Sequence, residues 1–180
     1  GGGSNMIEMD EVERGSIRID KGIEATGSSY NNIACGMIGS SEYSTISIDG
    51  ISASDNSRNS LHFTGDNQGN YSMDLTKGVS AVGGATHYIE FYQCSHAELD
   101  INGSVNSMEG GNNTFKFSND RTDFTLDGNL ATDHASNTLQ FAGGTNIATI
   151  TGSIESSGSV DFEFSGISSH LTVAGGVSAV

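Results

Sequence analysis

Apolar and polar positions alternate with period two in short bursts along this chain, and the bursts recur in a fixed order. One phrase, apolar-x-apolar followed by a turn holding Gly and then apolar-x-small, opens as Ile17-Arg18-Ile19 and Gly22-Ile23-Glu24-Ala25. It returns around Ile46-Ser47-Ile48, Met73-Asp74-Leu75, Leu99-Asp100-Ile101, Phe124-Thr125-Leu126, Ala148-Thr149-Ile150 and Leu171-Thr172-Val173, seven copies in all. A second phrase, apolar-x-Phe, lies between them: Leu61-His62-Phe63, Ile89-Glu90-Phe91, Phe115-Lys116-Phe117, Leu139-Gln140-Phe141 and Phe162-Glu163-Phe164. Ile33-Ala34-Cys35 fills the same slot in the first copy, with Cys in place of Phe. Period-two alternation marks strands with one buried and one wet face.

Repetition at a fixed period is the signature of a solenoid. The anchors Ile19, Ile48, Leu75, Ile101, Leu126, Ile150 and Val173 are spaced by 29, 27, 26, 25, 24 and 23 residues, a period that shortens steadily. The shortening falls in the link from the Phe strand to the next anchor and predicts a tapering cross-section. The fold expected is all-β: a single-stranded parallel β-solenoid of about seven coils of 23–29 residues. Parallel crossovers are overwhelmingly right-handed, so a right-handed β-helix is expected. Coils about 4.8 Å apart would make a rod roughly 29 Å tall. The Phe residues should form one interior column, and Ala25, Ala53, Ala81, Ser107, Ser156 and Ala179 a small-residue column. Polar stretches before each Phe strand, such as Asn56-Ser57-Arg58-Asn59-Ser60, read as loops.

The boundaries follow. Residues 1–5 have the composition of a flexible linker, and residues 6–16 precede the first copy and are expected to cap the stack, as helix or as strand. Residues 17–180 are the solenoid. Its last phrase, Val177-Ser178-Ala179-Val180, arrives without a following Phe strand, so the rod is expected to continue beyond this sequence or to meet another chain. End-on self-association through the C-terminal coil is the expected outcome.

Composition narrows the function classes. Asp and Glu number 22 against 7 Lys and Arg, a net charge of -15. That excludes a basic footprint for nucleic acid or anionic lipid. No run is apolar enough for a membrane-spanning helix, so no membrane insertion is expected. The two cysteines, Cys35 and Cys94, fall two coil steps apart, roughly 9–10 Å along the axis, beyond the ~7 Å reach of a disulfide. Both are expected as free thiols.

Candidate chemistry is sparse. Stacked outward carboxylates Asp20, Asp49, Asp74, Asp100 and Asp127 are candidate metal ligands, because a hard cation such as calcium would relieve their repulsion. A solvated acidic face is the competing reading, and no calcium-binding nonapeptide repeat is present. His62, His87, His96, His134 and His170 lack metal-ligand spacing and read as exposed loop or outward strand positions. No GxSxG turn or other catalytic motif occurs, and no cofactor is implied. Thr149-Ile150-Thr151 has the form of an ice-binding threonine pair, in one coil only.

The period, the Gly corners and the Phe ladder over residues 17–180 resemble the right-handed β-helices of bacterial autotransporter passengers and two-partner-secreted adhesins. That resemblance implies a module secreted from a bacterium or held on its surface, a stiff rod that adheres to protein or glycan partners and has no chemistry of its own. Polysaccharide lyases and polygalacturonase-type hydrolases share the architecture, but their Asp pairs with a Gly-His-Gly turn are missing. Three classes follow: a structural or adhesive rod, a carbohydrate-active or carbohydrate-binding β-helix, and a cation- or ice-binding face.

Overall fold

A computed structural model describes residues 2–37 and 42–179. Among them every regular element is a strand, and every strand pairing is parallel. The first coil is β1 (Ser4–Val12), β2 (Ser16–Ile19) and β3 (Ile23–Ala25); the second is β4 (Tyr30–Met37), β5 (Tyr43–Ile48) and β6 (Ile51–Ala53). The third holds β7 (Arg58–Thr64), β8 (Asn70–Leu75) and β9 (Val79–Val82), and the fourth β10 (Thr86–Tyr92), β11 (His96–Ile101) and β12 (Val105–Met108). In the last three coils the first two strands merge: β13 (Asn112–Leu126) is followed by β14 (Leu130–Asp133), β15 (Ser136–Ile150) by β16 (Ile154–Ser156), and β17 (Ser159–Val173) by β18 (Val177–Ala179). The chain is thus a parallel β-solenoid of seven coils with three walls. Two walls share an 11-stranded sheet, and the third is a 7-stranded sheet of β3, β6, β9, β12, β14, β16 and β18.

The segment before the first copy of the repeat is itself part of the repeat. β1 pairs in register with β4, setting Ile7 beside Ile33 and Met9 beside Cys35, so Ile7-Glu8-Met9 stands in the slot of the Phe strands. The ladder reaches back further, because the Gly3 carbonyl accepts from the Tyr30 N–H at 2.9 Å. The open choice between helix and strand resolves as strand. Counted from β1, each of the seven coils has all three walls. The last phrase keeps its strand through Ala179, and Val180 lies outside the described residues.

The shortening links find their explanation in β13, β15 and β17. Three residues, Gln93–Ser95, join β10 to β11, whereas one coil later the two walls are a single bent strand. In β15 the corner tolerates little bulk. Gly143 has φ +104°, and a Cβ there would overlap the Asn119 carbonyl oxygen of the coil below, as one on Gly144 would overlap that of Asp120. Only glycine allows that approach.

Inside, Phe63, Phe91, Phe117, Phe141 and Phe164 stack with ring centroids 4.9–5.5 Å apart. From Phe91 through Phe117 and Phe141 to Phe164, successive rings lie within 8° of parallel. Tyr71 and Phe124 approach this column edge-on from the second wall. Where Cys35 is smaller than the Phe it replaces, the buried Tyr71 hydroxyl reaches over to donate to the Cys35 carbonyl at 3.0 Å. Such stacked and edge-on contacts add to the area term in each coil.

The polar stretch read as a loop is partly strand. Arg58, Asn59 and Ser60 open β7, and Asn59 is fully buried. Asn5, Asn31, Asn59, His87, Asn113 and Asn137 occupy one register position on successive coils. In five of these six coils the side chain reaches across to a carbonyl of the third wall: Asn31 to Glu24, Asn59 to Ser52, His87 to Ser80, Asn113 to Asn106 and Asn137 to Ala131, at 2.7–2.9 Å. The small-residue column beside them leaves room for that crossing. Buried polar groups demand partners, and here the partners are backbone acceptors and the ladder itself.

Candidate functional site

The candidate metal ligands lie on the outer face, and Asp20, Asp49, Asp74 and Asp127 are each engaged by a donor. Asp20 accepts from Arg18 Nε at 2.5 Å. Asp49 accepts from Thr76 Oγ1 at 3.0 Å and pairs with Lys77 Nζ at 2.5 Å, and these donors hold its carboxyl below the usual range. Asp74 accepts from Asn102 Nδ2 at 2.9 Å, and Asp127 from Thr151 Oγ1 at 2.7 Å. Asp100 stands in register between Asp74 and Thr125. Asp49, Asp74 and Asp127 thus find donors on the next coil, and Asp20 finds one on its own. Among the described residues no three His, Cys, Asp or Glu side chains gather closely enough to share an ion. Thr125, Thr149 and Thr172 share an outward column on the last coils, and Asp100 replaces threonine in the coil before.

Two side-chain clusters emerge that the spacing along the chain did not reveal, because their members come from successive coils. On the first wall Ser60 Oγ lies 2.7 Å from His62 Nε2, His62 Nδ1 lies 3.3 Å from Glu90, and Glu90 pairs with Lys116 Nζ at 2.9 Å. Burial alone would raise the Glu90 carboxyl, but Lys116, with His62 and Tyr88, outweighs it and the group ends below its usual range. The order Ser–His–carboxylate has the form of an activated nucleophile. Ser60, however, is fully buried. In this arrangement its hydroxyl cannot meet a substrate, and the cluster acts as a brace across coils.

The second cluster sits on the second wall. The Tyr43 hydroxyl bonds to His96 Nδ1, His96 Nε2 lies 2.8 Å from Asp123, and Arg121 clamps the same carboxylate at 2.8 Å. Tyr43 also borders a shallow depression lined by Arg14, Gly15, Ser16, Glu42 and Thr45. The remaining histidines divide. His134 is exposed and bonds Asp133 at 2.7 Å, while His170 is exposed beside Thr172. His87 departs from the expected outward position: it is buried in the asparagine ladder, and burial lowers its pKa to about 4.

Concavity is found on the third wall. Its outward residues Glu24, Ser52, Ser80, Asn106, Ala131 and Glu155 are in register. Being mostly small, they leave a shallow groove along the rod axis, with Lys21, Asp49 and Lys77 on one rim and Asp133 toward the far end. No aromatic side chain lines it. Cys35 and Cys94 are free and buried, and burial pushes the Cys94 thiol up to about 12. No protein-family model matches this chain, nor does any curated protein or solved structure.

Proposed function

We propose that this chain is a structural and adhesive β-solenoid module, secreted from a bacterium or displayed on its surface, with no chemistry of its own. One observation carries this reading: the interior repeats from coil to coil while the outward columns do not. The first wall keeps Phe over Phe inside, yet outside it runs Glu8, Ala34, His62, Glu90, Lys116, Gln140 and Glu163. A scaffold that fixes backbone positions at a constant rise and varies what it presents is suited to display and recognition. The long shallow groove supports a protein or glycan strand as partner.

A carbohydrate-binding role is the second reading, favoured by the same groove with its mixed Lys, Glu and Ser lining. The two are separated by probing immobilised protein with a glycan array and with bacterial and host cell surfaces. Adhesion to cells without release of reducing ends from any bound glycan is expected. Glycan turnover would overturn the reading of a module without chemistry, and the absence of any retained cell, protein or glycan would overturn adhesion.

A further inference from the structure

The chain has four arginines and 22 Asp and Glu, and three of the arginines are paired. Arg14 meets Glu42 at 2.5 Å, Arg18 meets Asp20 at 2.5 Å, and Arg121 meets Asp123 at 2.8 Å. Among the described residues Arg58 meets no carboxylate. It stands exposed at the start of β7, and its guanidinium lies over the Tyr30 ring of the coil below, 5.9 Å from the centroid. A guanidinium steadied by an aromatic face, with no counter-ion, keeps its planar fork of donors open.

The surrounding wall differs from its neighbour. Tyr30, Tyr88 and Tyr92 all point outward on the first wall, Tyr30 37% and Tyr92 43% exposed; of the other two tyrosines, Tyr71 is in the core and Tyr43 is tied to His96. From the second coil to the fifth, the first-wall strand positions bear Arg58 and Lys116 against Glu90, net +1 with histidine neutral. The second-wall positions of the same coils bear Arg121 against Asp74, Glu98, Asp100 and Asp123, net -3. Lys116 and Glu90 satisfy each other at 2.9 Å, so Arg58 is the open charge. Tyr88 is its outward diagonal neighbour on the next coil, roughly 7–8 Å away, and Tyr92 stands four residues beyond Tyr88 on the same strand, about 13 Å along it. The cross-strand neighbours of both tyrosines are small: Ser60 and Thr114 for Tyr88, Thr64 and Ser118 for Tyr92.

We propose that this face binds a glycan through one carboxylated sugar, with the carboxylate forked on Arg58 and sugar rings lying on the tyrosines. It adds to the adhesive reading a second surface, separate from the third-wall groove, and names what that surface takes. Guanidinium and carboxylate match as a bidentate pair. A pyranose has an apolar C–H face and a polar rim, which the apolar ring and polar tip of tyrosine complement. The chain's net charge of -15 repels ligands with many acid groups, so a single one fits best. The strands β4, β7, β10 and β13 are paired on both edges. An acidic peptide therefore finds no open edge on which to add as a strand, and the wall offers side-chain faces only.

The test is calorimetric titration of the folded chain with two probes that each carry one carboxylate on a pyranose, 3′-sialyllactose and a disaccharide ending in glucuronic acid. The carboxyl-reduced form of each is the control. Saturable binding of at least one acidic probe is expected, and which one binds identifies the sugar. Carboxyl reduction, or Arg58→Ala, should weaken that binding roughly tenfold or more. Arg58→Lys should recover only part of it, because it keeps the charge and loses the fork. Tyr92→Ala should weaken the acidic and reduced probes alike. Thermal melts of these exposed-site variants are expected to match wild type. Failure of both acidic probes to bind, or binding indifferent to carboxyl reduction and to Arg58→Ala, overturns the site. An acidic hexapeptide that binds more tightly than either sugar overturns the assignment to a glycan. Cells or glycans retained equally by wild type and by Arg58→Ala with Tyr92→Ala overturn this surface and leave the adhesive reading standing.

Discussion

Two ladders run side by side through the interior of this rod, one of phenylalanine rings and one of asparagine amides, and they fail differently. The ring column gains its stability from apolar area and stacking, which vary little with orientation. It absorbs a Cys at position 35 by letting Tyr71 fill in from another wall. The amide column depends on direction. Asn5 donates to Asn31 and Asn31 to Asn59, each at 2.9 Å, and Asn59 Nδ2 approaches His87 Nδ1 at 3.3 Å. There the chain of bonds stops. His87 spends its other ring nitrogen on the Ser80 carbonyl, so nothing donates onward, and the buried Asn113 Oδ1 has no partner. Apolar columns forgive a substitution; hydrogen-bonded ones pass the fault to the next coil.

The largest expected effect tests the ring column. Phe117→Ala, in the middle of the stack, should cost about 3–5 kcal/mol in a denaturant melt through lost packing and the cavity left behind. A cost below about 1 kcal/mol would mean that the column is not what holds the coils.

Next comes the break in the amide column. Burial keeps His87 neutral in the folded chain with a pKa of about 4, against 6.5 when exposed. Below pH 6.5 the unfolded chain therefore binds a proton that the folded chain refuses. Stability is full above pH 6.5 and falls as pH drops toward 4, by about 3 kcal/mol over the window. Comparing acid melts of wild type and His87→Asn isolates this contribution from the carboxylates, since the gap between them should widen as the pH falls.

At neutral pH the same substitution tests direction alone. Asn at position 87 can accept from Asn59 and donate to Asn113 Oδ1, satisfying the orphaned acceptor. His87→Asn should stabilise by about 1 kcal/mol, the worth of one buried hydrogen bond. Destabilisation would show that the ladder does not carry through. The smallest effect belongs outside: Asp100→Asn on the acidic face should change stability by under about 0.5 kcal/mol. Saturable calcium binding by calorimetry, lost in that variant, would instead assign the column a ligand.

The apolar half of this comparison was legible in the sequence, because burial on one face writes a period of two directly into residue type. Its polar half was hidden by composition. Asn, Ser and Gly in clusters ordinarily mark loops, and Asn56–Ser60 has that composition. Yet the signal was there. Asn31-x-Ile33-x-Cys35, Asn59-x-Leu61-x-Phe63, Asn113-x-Phe115-x-Phe117 and Asn137-x-Leu139-x-Phe141 set Asn on the same strand face as the Phe. Asn5-x-Ile7-x-Met9 fits too, and would have placed β1 in the repeat. The Ser60–His62–Glu90 and Tyr43–His96–Asp123 clusters were not legible, because their partners lie 27–53 residues apart and meet only once the coil register is set.

The strands that run unbroken through the corner bear on how the rod resists proteolysis. A protease must draw several residues of backbone, free of partners, into its cleft. In β13 the corner amides of Asp120 and Arg121 are already bound to the Cys94 and Ser95 carbonyls at 3.1 and 3.0 Å, so that bend offers nothing to grip. In the third coil the corresponding link is a loop: the Gly65 and Asn67 amides bond to the Tyr92 and Gln93 carbonyls at 2.9 and 2.8 Å, but Asp66, Asn67 and Gln68 stand exposed. Among the described corners, digestion is expected to reach this exposed loop before the unbroken bends of β13, β15 and β17.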